Sequence, residues 1–146
     1  MRQIVYESVA SVEICKRDLD QILAKSVANN PESGLTGVLL QRGQRFIQAL
    51  EGDEPALERT LQRIASDPHH HDVNFLFYGE SDCCDFSKSS MMLIGDDPET
   101  QRIQSWFWPK GDIDTTKVTG EDVLEFLKLS SVVACLDAWG VPYIDL

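Results

Sequence analysis

The sequence places a tyrosine and a glutamine where their polar groups can meet a ligand. Tyr6 and Gln48 each lie in a segment whose apolar residues alternate, which is the pattern of a half-buried strand. Gln48 shares one face with Phe46 and Leu50, so its side chain is expected to be partly buried. A buried carboxamide needs hydrogen-bond partners, and this glutamine is therefore a candidate ligand-binding residue.

Asn29 and Asn30 add two more carboxamides at the end of a predicted helix, just before Pro31. Each feature has an ordinary interpretation: a core tyrosine, a glutamine bonded to a stray backbone group, and asparagines that end a helix. Together, tyrosine hydroxyl and amide groups on one face of a sheet predict a pocket for a flat ring with polar edges. The residue types do not say which ring.

The elements that position these residues follow from hydrophobic periodicity and turn signals. Strands are predicted over Gln3–Val9, Gly34–Gln41, Gln44–Glu51, Val73–Tyr78 and Ser90–Ile94, and helices over Arg17–Asn29 and from an N-cap at Asp53 to Ala65. The order β-α-β-β-α-β-β predicts an α+β, ferredoxin-like antiparallel sheet with two helices on one face. This domain is expected to span residues 1–95.

Residues 96–146 are predicted to form a C-terminal helical extension. Asp97–Gln104 is expected to be a short helix, and Glu121–Trp139 a longer, strongly apolar one. A helix this apolar must bury a face, and the open face of the sheet is one partner. The alternative is a contact with a second copy. We favour packing on the chain's own sheet with part of the helix exposed to a partner, and we expect a homo-oligomer.

The charge balance excludes several kinds of partner. The 146 residues carry 13 Lys and Arg against 24 Asp and Glu, a net charge of -11. Nucleic-acid binders need a basic surface, and an anionic membrane surface repels an acidic chain. No apolar run approaches the roughly 20 residues of a membrane span, and the N-terminus has no signal-peptide pattern. A cytoplasmic protein is expected.

Cysteine and histidine provide no predicted metal or redox centre. The four cysteines show neither a CxxC pair nor zinc-ribbon spacing, and are expected to be reduced thiols. The run His69-His70-His71 suggests metal binding at first sight. Adjacent loop histidines rarely converge on one ion, however, and no carboxylate lies at a ligand spacing. Solvent-exposed loop histidines are the preferred interpretation.

Four stretches resemble the BLUF family, the sensors of blue light using FAD. They are Ile4-Val5-Tyr6-Glu7-Ser8, Asn29-Asn30, Gly34-Leu35-Thr36-Gly37-Val38-Leu39-Leu40 and Arg45-Phe46-Ile47-Gln48-Ala49-Leu50-Glu51-Gly52; the stretch Ile64–His70 also fits. The similarity covers about residues 2–95. The helical tail resembles that of the short family members, which carry no effector domain.

The resemblance implies a role for each matching residue. Tyr6 corresponds to the photochemical tyrosine, Gln48 to the switching glutamine and Asn30 to the asparagine that holds the flavin carbonyl edge. The implied cofactor-binding set is Tyr6, Ser8, Ile22, Asn29, Asn30, Phe46, Gln48, His69 and His70, and the implied signal-relay residues are Ser89 and Met91.

Two departures from the family's pattern are expected to modify the behaviour. The family usually has Arg-Phe-x-x-Trp-x-Met near the fifth strand, whereas Asp85 and Ser89 replace the Arg and the Trp here. Signal relay, or the lifetime of the lit state, should be affected. His69-His70 replaces an Arg-His pair, and a neutral histidine contributes less to phosphate binding than arginine, so a weaker hold on FAD is predicted.

The implied function is a photoreceptor, not an enzyme. Blue light excites the flavin, Tyr6 gives up an electron and then a proton through Gln48, and Gln48 is left rotated or tautomerised. Its amide has a donor and an acceptor end, so either change alters the hydrogen bonds, shifts the flavin spectrum slightly to the red and signals to a partner protein. One alternative is a light-insensitive interaction module of the same family. Another is an acylphosphatase-like hydrolase, but the sequence lacks the Gly-rich phosphate loop that such an enzyme needs.

Overall fold

A computed structural model describes residues 1–13, 15, 17–18, 20–21, 24, 34–82, 85–86, 91–95 and 97–138. Its strands are β1 (Arg2–Ala10), β2 (Thr36–Arg42), β3 (Arg45–Gly52), β4 (His70–Glu80) and β5 (Met92–Ile94). Its helices are α1 (Glu54–Ser66), α2 (Pro98–Phe107) and α3 (Gly120–Ala138). Most of the predicted first helix lies outside the described residues, and those of its residues that are described (17, 18, 20, 21 and 24) have helical backbone.

The strands form one sheet in the order β4-β1-β3-β2-β5. β1 pairs antiparallel with β3 and β4, and β2 pairs antiparallel with β3. This is the predicted ferredoxin-like α+β arrangement. The prediction of an antiparallel sheet was wrong for one strand, because β5 runs parallel to β2 through Val38–Leu40 and Met92–Ile94. β4 and β5 lie at opposite edges of the sheet. β4 ends at the end of the sheet where β2 begins, so a strand that starts there beside β2 runs parallel to it.

Alternation along the strands gives the sheet two buried faces. On the α1 face, strand residues such as Ile4, Tyr6 and Leu50 pack with Ala56 and Leu57 of α1. On the opposite face, which we call the α3 face, Val5, Val38, Leu40, Ile47 and Ala49 pack with residues of α2, α3 and the intervening connector: Ile103, Trp108, Ile113, Val123, Leu124, Phe126 and Leu127. The prediction that the C-terminal helices cover the open face of the sheet is confirmed.

Helix α3 approaches the sheet closely where it begins. A Cβ atom on Gly120 would collide with the backbone carbonyl of Leu76 in β4. Glycine is therefore required for the helix to start against β4. Further along, Phe126 is fully buried, with its ring 5.2 Å from that of Trp108 and perpendicular to it. Such edge-to-face contacts stabilise the docked helix beyond its area of burial.

Several boundaries differ from the predictions for physical reasons. β4 starts at His70 instead of Val73, because the end of β1 pairs with it as far as Ala10 opposite His70. β5 has only three residues. Asp53 occupies the N-cap position of α1, but its side chain makes no capping hydrogen bond. Asp97 caps α2 instead, accepting a hydrogen bond of 2.8 Å from the backbone N–H of Thr100.

Candidate functional site

Tyr6 and Gln48 lie side by side at the centre of the sheet. They are paired residues on β1 and β3, and Leu39 of β2 is the partner of Gln48 on its other side. Tyr6 is 6% exposed and Gln48 9% exposed. The strand alternation that the sequence showed puts both side chains on the α1 face. The direct pairing of the two residues depends on the register between β1 and β3.

A chain of hydrogen bonds joins three of the predicted residues. The hydroxyl of Tyr6 donates to Oε1 of Gln48. At the other end of the carboxamide, Nε2 of Gln48 donates to the sulphur of Met91 at 3.5 Å. Among the described residues this thioether is the acceptor that the amide uses, and sulphur is a weak acceptor. The amide N–H groups of Gln48 can therefore be redirected to a better acceptor, such as a carbonyl oxygen.

The environment keeps the hydroxyl of Tyr6 protonated. Burial, reinforced by the negative charge of Asp67, raises the pKa of Tyr6 above its ordinary value. Asp67 is itself held in the ionised form: the backbone N–H of His69 donates to it at 2.9 Å, and this bond lowers the pKa of its carboxyl against the effect of burial. Sequence analysis missed Asp67, although its place beside His69 and at the end of α1 was a signal.

The predicted residues at the end of the sheet make a second cluster. Ser8 is buried and is paired with Phe46 across the β1–β3 ladder. One ring nitrogen of His70 lies 3.0 Å from the hydroxyl of Ser8, and the other lies 2.6 Å from the carbonyl oxygen of Ile64, to which it donates. His70 thus links β1, β4 and α1.

His69 has a different environment. Its side chain is 87% exposed and its Nδ1 lies 2.7 Å from Asp67 Oδ1. Ile22, Asn29, Asn30 and Ser89 lie outside the described residues, so their predicted roles stay predictions. No group of three or more His, Cys, Asp or Glu side chains in the described part of the chain is arranged to hold a metal ion.

One aromatic neighbour of Tyr6 was not predicted. The ring of Phe75, on the adjacent strand β4, lies 6.2 Å from that of Tyr6 at an angle of 57°. Phe75 is 49% exposed. Its place in the predicted fourth strand was visible in the sequence, but the pairing that sets it beside Tyr6 depends on a register shift between Val5 and Tyr6.

Two cavities open elsewhere, beside Arg45 at the edge of the α3 face. They measure about 400 and 490 Å³. The guanidinium of Arg45 is satisfied by Glu7, the hydroxyl of Thr115 and the carbonyl of Ile113. The arginine that lines both cavities is thus already paired with Glu7, whereas the amide N–H groups of Gln48 can turn to a ligand. The chemistry therefore points to the α1 face.

Comparison with known proteins agrees with this geometry. The sequence profile of the BLUF family, described as sensors of blue-light using FAD, matches residues 1–92. The chain is 34% identical over 70 residues to the photoactivated adenylate cyclase subunit beta of Euglena gracilis, covering 48% of this chain and 8% of that protein. It is 27% identical over 91 residues to the blue light- and temperature-regulated antirepressor BluF of Escherichia coli (strain K12), covering 62% of this chain and 23% of that protein.

The chain thus spans less than a quarter of the length of these two relatives. A solved structure of BlsA in its photo-activated state superposes with a TM-score of 0.80, covering 90% of this chain and 94% of the other at 22% identity. At that identity the likeness concerns the fold. No helix in the described part of the chain is long and apolar enough to cross a membrane.

Proposed function

Because the chain belongs to the BLUF family of blue-light sensors, we propose that it binds FAD on the α1 face and uses Tyr6 and Gln48 as its light switch. The observation that carries this proposal is the buried hydrogen-bond chain from the Tyr6 hydroxyl through Gln48 to the sulphur of Met91. A hydroxyl, an amide and a weak acceptor in series form an arrangement that can exist in two hydrogen-bonded states.

The residues present fit a flavin ring. Its edge offers carbonyl oxygens and ring nitrogens, and the amide of Gln48 has N–H groups that a thioether satisfies poorly. Ile22, Asn29 and Asn30 are proposed to form the helix side of the pocket, and Phe46 to pack near the ring. When bound, the flavin supplies absorption of blue light and an excited state that accepts an electron.

FAD, as opposed to a shorter flavin, is proposed from the family's description and from the histidines beyond Ser8. His69 is largely exposed and has room to contact a phosphate group. Both ring nitrogens of His70 are already hydrogen-bonded, one to Ser8 and one to Ile64. We therefore propose that His70 supports the site by holding β4 against α1. These roles predict that His69→Ala lowers the affinity for FAD more than the affinity for riboflavin, which has no phosphate.

The work of the protein begins with the proton of Tyr6. Since its pKa is raised by burial, Tyr6 does not lose this proton before light arrives. Loss of an electron makes the phenol strongly acidic, and Oε1 of Gln48 is already its acceptor. The return of electron and proton leaves the Gln48 amide rotated or tautomerised, with donor and acceptor ends exchanged. Met91 then loses the hydrogen bond that Nε2 of Gln48 donates to it in the dark.

The output is proposed to pass from Met91 and β5 to the C-terminal extension and a partner protein. We propose residues 1–95 as the flavin-binding part and 96–146 as the output part, with Ser89 close to the relay. A homo-oligomer is proposed as the signalling form. Two relatives are named as a photoactivated adenylate cyclase subunit and a blue light- and temperature-regulated antirepressor; for this chain we propose that the signal passes to a partner protein.

The test is an absorption spectrum of the purified protein in the dark and after blue light. Flavin bands with a small, reversible red shift are expected, and chromatography of the released flavin identifies FAD. Tyr6→Phe should keep the flavin and lose the shift. Tyr78→Phe is the matched control, because Tyr78 is 47% exposed on β4. A shift that persists in Tyr6→Phe refutes the role of Tyr6, and a protein that takes up no flavin refutes the proposal.

A further inference from the structure

A buried carboxylate anchors the turn that precedes β5. Glu51, near the end of β3, is 1% exposed. It accepts hydrogen bonds from Nε2 of Gln3 at 3.1 Å and from the hydroxyl of Thr36 at 2.9 Å. The backbone N–H groups of Asp85 and Phe86 donate to the same carboxylate at 3.0 and 2.5 Å. The turn is therefore fixed to the central strands by hydrogen bonds to a buried carboxyl group.

Helix α3 holds the same turn by an ion pair. Nζ of Lys128 lies 3.2 Å from Oδ2 of Asp85, with both side chains about three-quarters buried. The same carboxylate oxygen accepts a hydrogen bond of 2.5 Å from Gln3. Burial acts to lower the pKa of Lys128, but its contacts with Asp85 and Glu125 outweigh this and raise it. The ammonium group therefore stays charged, and a charged pair of this burial resists separation.

The turn lies close in sequence to the switch. Met91 follows Phe86 by five residues, and its sulphur accepts the hydrogen bond from Gln48 at 3.5 Å. β5 then pairs with β2 over only three residues at the edge of the sheet. So short a pairing contributes little to the position of Met91. Met91 is also held by packing in the core of the α1 face, and the contacts at Asp85 and Phe86, one of them to α3, are a further restraint five residues earlier in the chain.

We propose that Lys128 and Asp85 are positioning residues of the light switch, whose ion pair holds the Met91 segment in its dark arrangement and so sets the rate of dark recovery. This inference rests on the proposed function. The ion pair belongs to the state in which Gln48 donates to Met91. In this proposal the pair re-forms before the return is complete, so removing it raises the barrier to recovery as well as the energy of the dark state, and the lit state should return more slowly.

The test compares three variants of the flavin-loaded protein. Lys128→Met removes the charge and keeps much of the side-chain volume, and Lys128→Arg keeps the ion pair. Lys117→Met is the matched control, since Lys117 faces Asp114 at 3.8 Å with its side chain 78% exposed. Lys128→Met should show an unchanged red shift and recovery slowed about fivefold, corresponding to about 1 kcal/mol. Lys128→Arg and Lys117→Met should recover like the wild type.

Two outcomes overturn the inference. One is recovery in Lys128→Met that equals the wild type; the other is an equal slowing in Lys117→Met. Unchanged recovery in Lys128→Met together with a loss of thermal stability is a case of the first outcome, and it indicates a structural role only.

A measurement in the dark separates this inference from the proposed function. If the wild type shows no light-induced shift, the proposed function fails, and hydrogen exchange of the β5 amides (Met92–Ile94) then decides the inference. Exchange about fivefold faster in Lys128→Met, with no change in Lys117→Met, supports the positioning role. Equal exchange in both variants refutes it.

Discussion

Replacing Phe126 by alanine should destabilise the whole chain, sheet included. Phe126 is fully buried on α3, and its ring lies 5.2 Å from Trp108 and 5.8 Å from Phe107, in tilted or perpendicular contact. It shares a core with strand residues such as Val5 and Ile47. The extension and the sheet therefore have a common interior, and we expect them to unfold together.

The magnitude follows from the size of the side chain and its neighbours. Truncating a buried phenylalanine to alanine costs about 3–5 kcal/mol in total, and two edge-to-face contacts, which are worth about 0.5–1.5 kcal/mol each within that total, place this site in the upper part of the range. We expect a loss of about 4–5 kcal/mol in the free energy of unfolding. Domains of this kind are stable by about 5–15 kcal/mol, so the variant should still fold at low temperature. Its midpoint should fall by roughly 8–20 °C.

Thermal and urea unfolding of the flavin-loaded protein, followed by far-UV circular dichroism and flavin release, measures this effect. Leu129→Ala is the control, because Leu129 is on the same helix and 39% exposed; it should cost less than about 1 kcal/mol. The reasoning is refuted if Phe126→Ala costs no more than Leu129→Ala. It is also refuted if helix signal is lost in a first step that leaves the flavin bound.

Three further predictions concern titration and capping. Because the pKa of Tyr6 is raised, the amplitude of the light-induced shift should not change between about pH 6 and 9; a decline over that range contradicts the burial argument. Asp97→Ala removes the N-cap side chain of α2, which accepts a hydrogen bond from the backbone N–H of Thr100, and should lower the free energy of unfolding by about 1 kcal/mol. Asp112→Ala is the control, because Asp112 lies in the connector and not at an N-cap. Glu7 has a lowered pKa because hydrogen bonds from Arg45, Asn74 and Thr115 outweigh the opposing effect of burial. Its contribution is therefore present above the unfolded pKa of about 4.3 and lost as pH falls, so that Glu7→Gln should cost stability at pH 7 and progressively less in acid.

Hydrophobic periodicity predicted much of the fold. The alternation around Tyr6 and Gln48 put both residues on the α1 face, and the apolar pattern of 121–139 predicted a helix on the other one. The strand faces and the helix needed only local sequence, whereas the placement of that helix came from the expected topology, in which the other two helices cover the opposite face. The direct pairing of Tyr6 with Gln48 and the parallel pairing of β5 with β2 depend on register between distant segments, which a local pattern does not contain.

Buried polar residues were the harder part. His70 joins β4 because β1 extends to meet it, although neither it nor its neighbours favour a strand by propensity. Glu51 continues the alternation of Ile47 and Ala49 and so lies on the α3 face, fully buried. Its position in that alternation was the available signal. What the sequence could not supply is the set of donors from distant residues that compensates for burying its carboxyl group.

The irregularity of β4 bears on how the protein behaves at high concentration. β4 is the outer strand of the described sheet, and it carries the exposed Phe75 and Tyr78. Long, flat edge strands recruit further strands and start aggregates. Here the pairing of β1 with β4 shifts register twice, and Asp72 has a left-handed backbone with φ of 53°. Such a bulged and twisted edge is a poor template for a second chain, so the fold protects itself against edge-to-edge polymerisation while keeping aromatic side chains at the surface.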